Sequence, residues 1–512
     1  MADDSDNGAV DLLVIGGGVN GAGVARDAAG RGLSVVLCEK DDLAQGTSSR
    51  SGKYIHGGLR YLEYYEFRLV REALIEREVL LAAAPHIIWP LRLVLPHSPE
   101  QRPRWLIRLG LFLYDHLGGR KRLPASRALD LRKAPEGAPL RAGFAKGFEY
   151  SDCWVDDSRL VVLNAVDAGR RGAEILTRTA CVSARREAGL WHAVLRDRIT
   201  GALRHVRARA LVNTAGPWVE EVLGQVAGVN ARYHLRLVKG SHIITPRWWQ
   251  GGHGYVLQGS DRRLIFVNPY QEDLALIGTT DIPFEDDPDQ VQIDEQEIDY
   301  LLGLLNRYFE QAPKRTDIVS HFAGVRALFD DGAIGASAVT RDYSFEMDSG
   351  DGTERGSGAP ILTAFGGKIT TYRKLAEHAL ERLQPFFPQM RGAWTGSAPL
   401  PGGDIPDADF ENWFAGFQAA HAWLPTDLAR HYARAYGTEA ARMLDDARGL
   451  QDLGQPFGGR LYEREAAWLV DHEWARSAED ILDRRTKHGL ALDAAGRARL
   501  ESWMQMKLGK AA

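Results

Sequence analysis

The clearest pattern of apolar and polar positions lies near the start of the chain, between residues 10 and 40. An apolar run from Leu12 to Ile15 predicts a buried strand, and small apolar residues at helical spacing follow it over 22–28. A second apolar run, Val35 to Leu37, predicts another strand. The order strand, turn, helix, strand predicts one βαβ unit at the edge of a parallel sheet.

Further elements follow from the same two periodicities. Helical spacing predicts helices over 62–84, 157–171 and 293–310, and a mostly helical region from 400 to the end that includes 464–485. Short apolar runs predict strands at 173–179, 192–197, 208–214 and 361–365. The alternation that dominates 233–281 predicts an antiparallel sheet packed on the first domain.

The turn between the first strand and helix carries the first chemical signal. Gly16, Gly18 and Gly21 complete G-x-G-x-x-G, in which glycine permits the tight turn, the approach of a pyrophosphate and close helix packing. The helix N-terminus offers free N–H groups to phosphate oxygens. Glu39, 18 residues past Gly21, is placed to accept a hydrogen bond from a ribose hydroxyl. Its negative charge would repel the 2′-phosphate of NADP, so it argues against NADP but leaves NAD and FAD open.

Two later segments repeat the order strand, glycine turn, helix, at 209–223 and 361–380. Both place a helix N-terminus at the carboxyl end of a strand, where ligands of α/β sheets bind. A nucleotide domain completed by distant segments is typical of flavoprotein oxidoreductases, whereas NAD dehydrogenases usually have a contiguous one. We therefore expect an α/β fold in which a Rossmann-like domain (10–90, 150–225 and 355–390) is interleaved with an antiparallel-sheet cap domain (91–149 and 226–354) and followed by a helical domain (400–512).

Composition narrows the class of protein only slightly. A net charge of −5 over 512 residues gives no general attraction to nucleic acid. The three cysteines show no C-x-x-C or metal-ligand spacing, which suits a reducing compartment and predicts no metal site. The acidic N-terminus does not resemble a signal peptide, and no apolar run approaches the ~20 residues of a membrane span. We expect a cytoplasmic protein or one bound to a membrane face.

Five segments carry a resemblance to a known family. They are SSRSGKYIHGGLRYLEYYEFRLVREAL (48–74), GFEYSDCWVDDSRLV (147–161), LVNTAGPWV (211–219), LVKGSHII (237–244) and FGGKITTYRKLAEHAL (365–380). With these segments the chain resembles the bacterial aerobic glycerol-3-phosphate dehydrogenases, FAD enzymes of the D-amino-acid-oxidase-like group. The resemblance implies oxidation of sn-glycerol 3-phosphate to dihydroxyacetone phosphate, with a hydride passing from C2 to flavin N5 and electrons to membrane quinone.

The resemblance and the glycine turn together give a set of FAD-binding residues. Asn20 opens the first helix, residues 47–49 form a hydroxyl-rich loop that could also be a polar surface turn, and the segment from Gly366 to Thr370 resembles one whose N–H groups face the flavin. The predicted cofactor contacts are Gly16, Gly18, Asn20, Gly21, Glu39, Thr47, Ser48, Ser49, Gly216, Gly366, Gly367 and Thr370.

A phosphate dianion with two hydroxyls requires several cationic donors in one pocket. The candidates are Arg60 with Tyr61, Arg326, Arg341 and Lys368, and for any one of them a solvated charge or a salt bridge is the competing interpretation. Arg326 and Lys368 match segments that line the substrate site in the resembled group, so we expect both to act in catalysis.

Proton removal from the C2 hydroxyl requires a base, and a pKa near neutral suits it. His56, in the glycine-rich turn YIHGG, is the first candidate, although it could instead orient the flavin or bond to backbone.

Residues 101–123 mix cations with apolar anchors, as an interfacial helix does. A partly buried helix with a solvated basic face is the alternative. Since the resembled group consists of peripheral membrane proteins, we expect association with the cytoplasmic face of the inner membrane. The C-terminal helices could serve a homodimer, the docking of a partner or stability alone, and nothing in the sequence selects among these roles.

Three rival functions remain open. A glycerol-3-phosphate oxidase would share the fold but reduce O₂ to hydrogen peroxide. An amine oxidase of the same group would not need several cations around one phosphate. A non-catalytic FAD-binding sensor would bind flavin without being reduced by any polyol phosphate.

Overall fold

The computed structural model describes residues 8–330, 342–350 and 358–509. Within these ranges the strands are, in chain order, β1 Val10–Ile15, β2 Val35–Cys38, β3 Tyr54–Ile55, β4 Ile88–His97, β5 Arg127–Asp130, β6 Lys146–Val155, β7 Glu174–Leu176, β8 Thr179–Glu187, β9 Leu190–Asp197, β10 Leu203–Asn213, β11 Leu235–Pro246, β12 Gly254–Gln258, β13 Leu264–Tyr270, β14 Leu274–Gly278, β15 Ile282–Pro283, β16 Ser320–Phe329, β17 Tyr343–Asp348, β18 Ile361–Gly366, β19 Pro456–Gly458 and β20 Leu461–Tyr462.

The α-helices of the same ranges are α1 Val19–Gly30, α2 Phe67–Ala83, α3 Arg104–Leu117, α4 Asp157–Arg170, α5 Val219–Glu221, α6 Glu295–Tyr308, α7 Tyr372–Leu383, α8 Phe410–Ala420, α9 Thr426–Tyr436, α10 Glu439–Leu444, α11 Glu463–His472 and α12 Ala494–Gly509. Short 3₁₀ turns connect several of them, and Asp480–Arg485 forms a π-helical turn.

The first sheet has the parallel core β18-β10-β1-β2-β7, with Leu13 of β1 beside Val36 on one side and Leu211 on the other. β17 and β9 flank this core as antiparallel strands, and β8 pairs with β9. Its central strands are apolar on both faces because both are covered. Helices α1, α4 and α7 pack on one face, and Trp191, Leu195 and Leu223 pack on the other. This is the predicted Rossmann-like arrangement.

The second sheet is mostly antiparallel, in the order β15-β11-β14-β13-β12-β4-β6-β3, with β16 joined to β11 and β5 to β6. β4 and β12 are its parallel pair. Helix α6 packs Leu301 and Leu305 on its outer face. The other face points towards the carboxyl ends of the first sheet's strands, as expected for a cap.

The C-terminal region from α8 to α12 has an apolar core of its own. It is joined to the first domain by buried ion pairs. Asp42, 1% exposed, accepts hydrogen bonds from Arg484 Nε at 2.6 Å and from Arg485 Nη1 at 2.5 Å and Nη2 at 2.8 Å. The α/β fold, the interleaved cap and the helical C-terminal domain are therefore confirmed.

Two predicted helices differ from the structure, and one hairpin was missed. The helix predicted over 62–84 begins at Phe67, because Leu59–Tyr64 forms a 3₁₀ turn and Tyr65 is left-handed with φ of 61°. The helix predicted over 464–485 breaks after His472, where Trp474 has φ of 56°. The hairpin β19–β20 was not predicted. The domain boundaries stay a prediction. Strand β3, in a segment assigned to the nucleotide domain, pairs with β6 in the second sheet, and β17, in a segment assigned to the cap, pairs in the first sheet.

Candidate functional site

A cavity of about 2050 Å³ lies between the two sheets. One wall consists of residues at the carboxyl ends of the parallel strands, such as Ile15, Cys38 and Gly366, and the other of residues from the second sheet, such as His242 and Phe266. Sites for one small molecule usually measure about 300 to 1,000 Å³. The cavity can therefore take a dinucleotide and a second, small ligand.

The glycine turn forms one end of this cavity. Gly16 has φ of 109°, and a Cβ on it would lie 2.6 Å from the Thr214 carbonyl oxygen. A Cβ on Gly21 would lie 1.9 Å from the Gly16 carbonyl oxygen. Both glycines are thus required sterically, and together they bring the N-terminus of α1 to the cavity, where its N–H groups favour an anion.

Glu39 and Ser48 fix the surroundings of that turn. The half-buried Glu39 carboxylate accepts hydrogen bonds from the backbone N–H groups of Gly17 at 2.6 Å and Asp41 at 2.8 Å. Burial raises the Glu39 pKa, and these two donors oppose the rise. Ser48 Oγ accepts from Val19 N at 3.0 Å, so the loop after β2 is attached to the first turn of α1.

Asn20 links this turn to the third strand–turn–helix segment. Its Nδ2 donates to the Gly366 carbonyl oxygen at 3.4 Å, while its Oδ1 is buried without a hydrogen-bond partner in the described part of the chain. An unsatisfied buried oxygen at a cavity wall suits a ligand with hydroxyl donors. The glycine turn, Glu39 and Asn20 therefore fit FAD, whose diphosphate, ribose and ribityl chain need these groups.

The segment predicted to face the flavin has unusual backbone geometry. Gly366 and Gly367 have φ of 78° and 104°, and both line the cavity. The helix predicted to open at Thr370 begins with a 3₁₀ turn, Ile369–Thr371, before α7. Thr370 is fully buried, and its Oγ1 accepts from His56 N at 3.1 Å instead of lining the cavity.

His56 lines the cavity with a half-buried ring. Burial, together with the positive charges of Lys368 and Arg77, lowers the His56 pKa to about 3. The near-neutral pKa that suits a base is therefore not found at His56 in the protein without its ligands, because burial, and then the charges of Lys368 and Arg77, disfavour the protonated ring. The ring is neutral at physiological pH, and its role as base stays a prediction.

The predicted cations are brought to the same cavity. Lys368 Nζ lies 3.9 Å from the centre of the Tyr61 ring, a cation–π distance. Arg326 is ion-paired with Asp281 and donates to Thr279 Oγ1 at 2.8 Å. Arg60 also lines the cavity. Arg341 lies outside the described residues.

Most of the predicted contacts reach the cavity. The predicted residues that line the cavity are Gly16, Gly18, Asn20, Glu39, Thr47, Ser48, His56, Arg60, Tyr61, Gly216, Arg326, Gly366, Gly367 and Lys368. Gly21, Ser49 and Thr370 are not among them. Thr47 also donates to the Val325 carbonyl oxygen at 2.6 Å, which ties its loop to β16. The roles assigned to individual residues stay predictions.

Sequence reasoning missed several polar residues of the cavity wall. Arg50 lines it, and Tyr54 donates a hydrogen bond to the Asn268 side chain there. His242 stacks on Phe322, with ring centres 4.8 Å apart, and both of its ring nitrogens are buried without a hydrogen bond among the described residues. Burial lowers the pKa of His242 far below its usual value. A histidine inside an apolar strand, as in SHII, was the available signal.

Helix α3 lines the outer part of the cavity with Leu106, Ile107 and Leu113. It packs beside the 3₁₀ turn Leu59–Tyr64. Helix α3 and the stretch from Tyr64 to Phe67 expose large apolar side chains, four of which, Tyr64, Tyr65, Phe67 and Leu109, line the cavity. We call this set the apolar rim; it consists of Tyr64, Tyr65, Phe67, Trp105, Leu109 and Phe112. Among the helices that the structure describes, none has the length and hydropathy needed to span a bilayer.

Comparison with known proteins supports the assignment of the cofactor. The family described as "FAD dependent oxidoreductase" matches residues 11–373, and the "C-terminal domain of alpha-glycerophosphate oxidase" matches 393–507. A solved structure of glycerol-3-phosphate dehydrogenase from Bacillus halodurans, complexed with FAD, is similar with a TM-score of 0.74 and 25% identity; the match covers 98% of this chain and 95% of that one.

Two curated relatives match over nearly the whole length. The D-erythritol 1-phosphate dehydrogenase of Brucella abortus is 60% identical over 96% of this chain and 97% of its own. The glycerol-3-phosphate dehydrogenase of Pseudomonas aeruginosa is 54% identical over 97% of this chain and 95% of its own. FAD is thus the cofactor, and the predicted family is confirmed. The chain belongs to the FAD-dependent oxidoreductases, in the branch that contains the glycerol-3-phosphate dehydrogenases.

Proposed function

We propose that this enzyme oxidises sn-glycerol 3-phosphate to dihydroxyacetone phosphate and passes the electrons to a membrane quinone. The observation that supports the substrate is the set of cations, Arg60, Arg326 and Lys368, on the wall of the cavity that fits FAD. The relatives named for glycerol 3-phosphate support the same choice. A phosphate dianion bound in this cavity would meet these positive charges on its wall.

Two of the cations are held in place before any substrate arrives. Lys368 lies over the Tyr61 ring, and Arg326 is fixed by Asp281 and Thr279. Groups that are already oriented lose little side-chain entropy when they bind a ligand. We infer that these two side chains bind the phosphate and that Arg60 adds a more mobile charge.

His56 accepts the proton of the C2 hydroxyl in this proposal. Its pKa of about 3 keeps the ring neutral, so a nitrogen lone pair is available throughout the physiological range. The hydrogen bond from the His56 backbone N–H to Thr370 Oγ1 holds the loop that carries the ring. FAD, when bound, supplies the acceptor for the hydride that leaves C2.

A four-carbon substrate is the second candidate, since the relative from Brucella abortus, at 60% identity, is named for D-erythritol 1-phosphate. That compound keeps the phosphate and the neighbouring hydroxyls and adds one hydroxylated carbon. The same cations would bind it, so the two substrates are distinguished by experiment.

The test is an anaerobic absorbance titration of the purified, FAD-loaded enzyme. Bleaching of the flavin band by sn-glycerol 3-phosphate, but not by glycerol or amino acids, supports the proposal. A kcat/KM for D-erythritol 1-phosphate at least tenfold higher would instead favour the second candidate. Reoxidation by a quinone analogue rather than by O₂ separates the dehydrogenase from the oxidase, and a flavin that stays oxidised with both phosphates overturns the proposal.

The apolar rim supports contact with the cytoplasmic face of the inner membrane, because its Trp105 and Phe112 are 69% and 51% exposed beside exposed Arg104. Quinone could then reach the cavity from the bilayer without crossing water. W105S/F112S should weaken binding to anionic lipid vesicles about tenfold or more, since each ring buries apolar area. I199S/L203S, which removes two similarly exposed apolar side chains at the connection between β9 and β10, is the matched control. Equal binding by all three proteins contradicts the membrane proposal.

A further inference from the structure

Three side chains in the C-terminal domain converge at a place outside the residues that line the cavity. His431 on α9, Glu465 on α11 and His488 after the π-helical turn place one ligand atom each within 4.8 Å of one another. Glu465 is fully buried, and the side chains of His431 and His488 are 10% and 7% exposed. Their positions are 34 and 23 residues apart, so spacing gave no signal in the sequence.

The distances between the side-chain nitrogen and oxygen atoms are near those of a tetrahedral metal site. The Nε2 atoms of the two histidines are 3.1 Å apart, His431 Nε2 lies 2.7 Å from Glu465 Oε1, and His488 Nε2 lies 3.7 Å from Glu465 Oε2. Ligands bound to Zn²⁺ at about 2.0 to 2.2 Å are about 3.3 Å from one another in tetrahedral geometry. The observed separations lie on both sides of that value, and the two that involve Glu465 run to different carboxylate oxygens, so the carboxylate must turn to present one oxygen to the ion.

Hydrogen bonding alone leaves the group incompletely satisfied. If the Nε2–H of His431 donates to the carboxylate, the same hydrogen cannot also bond well to His488 Nε2, which faces it. Glu465 Oε2 is buried and has no hydrogen-bond partner in the described part of the chain. The other oxygen, Oε1, accepts a hydrogen bond from Tyr436 Oη at 2.8 Å, which orients the carboxylate as outer partners of metal ligands do.

We propose that His431, Glu465 and His488 bind one divalent transition-metal ion, for which Zn²⁺ is the best match. Two imidazoles and one carboxylate suit Zn²⁺ and leave a fourth position for water. Because the three ligands are buried and belong to three separate segments, the ion has a structural role: it clamps α9 and α11 to the end of the π-helical turn. That turn carries Arg484 and Arg485, which hold Asp42 of the nucleotide domain.

The first test is the metal content of the FAD-loaded enzyme, purified without a histidine tag and measured by inductively coupled plasma mass spectrometry. After equilibration with Zn²⁺ and gel filtration, we expect about one ion per chain in the wild type and in H421Q. His421 is the matched control because it lies in the same domain outside the cluster. H431Q and H488Q should retain less than a fifth of that content.

Thermal unfolding provides a second readout that does not depend on activity. Adding Zn²⁺ to the chelator-treated wild type should raise the midpoint by at least about 3 °C, and the rise should be absent in H431Q. If H488Q fails to fold, H431Q decides the matter, since His431 is the most exposed of the three. A wild type that takes up no Zn²⁺, or an H431Q that retains it, overturns the proposal and leaves the group as a proton-sharing triad.

Discussion

The glycine turn allows a prediction whose size follows from the structure. In G21A the new Cβ would lie 1.9 Å from the Gly16 carbonyl oxygen and 2.6 Å from Thr214 Oγ1. Carbon and oxygen atoms rarely approach closer than about 3.3 Å. The backbone of the turn must therefore move by about 1.4 Å, and with it the N–H groups that would bind the FAD diphosphate.

Overpacking of this kind costs about 1 to 3 kcal/mol. If all of this cost opposes binding, the Kd for FAD rises by about 5- to 150-fold. The assay is titration of the apoprotein with FAD, followed by the quenching of flavin fluorescence. Far-UV circular dichroism establishes that the variant is folded.

G303A is the control, since Gly303 lies in the middle of α6 and a Cβ there meets no atom within 4 Å. The same substitution in an exposed helix should gain about 1 kcal/mol of stability and leave FAD affinity unchanged. A folded G21A that binds FAD within twofold of the wild type would refute the steric argument.

Three further predictions concern the substrate site and the domain contact. H56Q should lower kcat by about 10²- to 10⁴-fold at every pH between 5 and 8. The loss should not depend on pH in this range, because a pKa of about 3 keeps His56 neutral above pH 4. A wild-type kcat/KM profile with an acid limb near pH 6.5 that H56Q abolishes would contradict this. K368M should lower kcat/KM for sn-glycerol 3-phosphate by about 10- to 150-fold, as expected for a lost charged hydrogen bond. The control K133M, which changes an exposed lysine, should leave kcat/KM unchanged. Steady-state kinetics of both variants test this prediction. D42N should lower the free energy of unfolding by about 3 to 5 kcal/mol, because it removes the carboxylate from a buried ion cluster. The control E295Q, which changes an exposed ion pair, should cost at most about 1 kcal/mol. Equal denaturant midpoints for the two variants would count against the argument.

Local sequence patterns were sufficient to predict those elements whose structure is determined by residues close together in the chain. The first βαβ unit, its glycines and Glu39 are contained within 30 residues, so their periodicity and spacing predicted the elements and a dinucleotide ligand, without choosing between NAD and FAD. The limits of this reasoning are visible at Tyr65 and Trp474. Both adopt left-handed backbone conformations inside segments predicted to be helical, Tyr65 just before α2 begins and Trp474 just after α11 ends. Neither residue type signals such a turn.

The assembly of the site was decided by tertiary structure. Lys368 meets Tyr61, and the backbone of His56 bonds to Thr370, across more than 300 residues of sequence, because the two sheets face each other around the cavity. Burial in this assembly, together with the positive charges of Lys368 and Arg77, lowers the His56 pKa to about 3, a value that no reading of YIHGG could give. The buried group of His431, Glu465 and His488 likewise exists only because helix packing brings three separate segments together. The sequence by itself determined which chemistry the chain can perform, and folding determined which side chains meet, since distance and burial arise only when the segments pack.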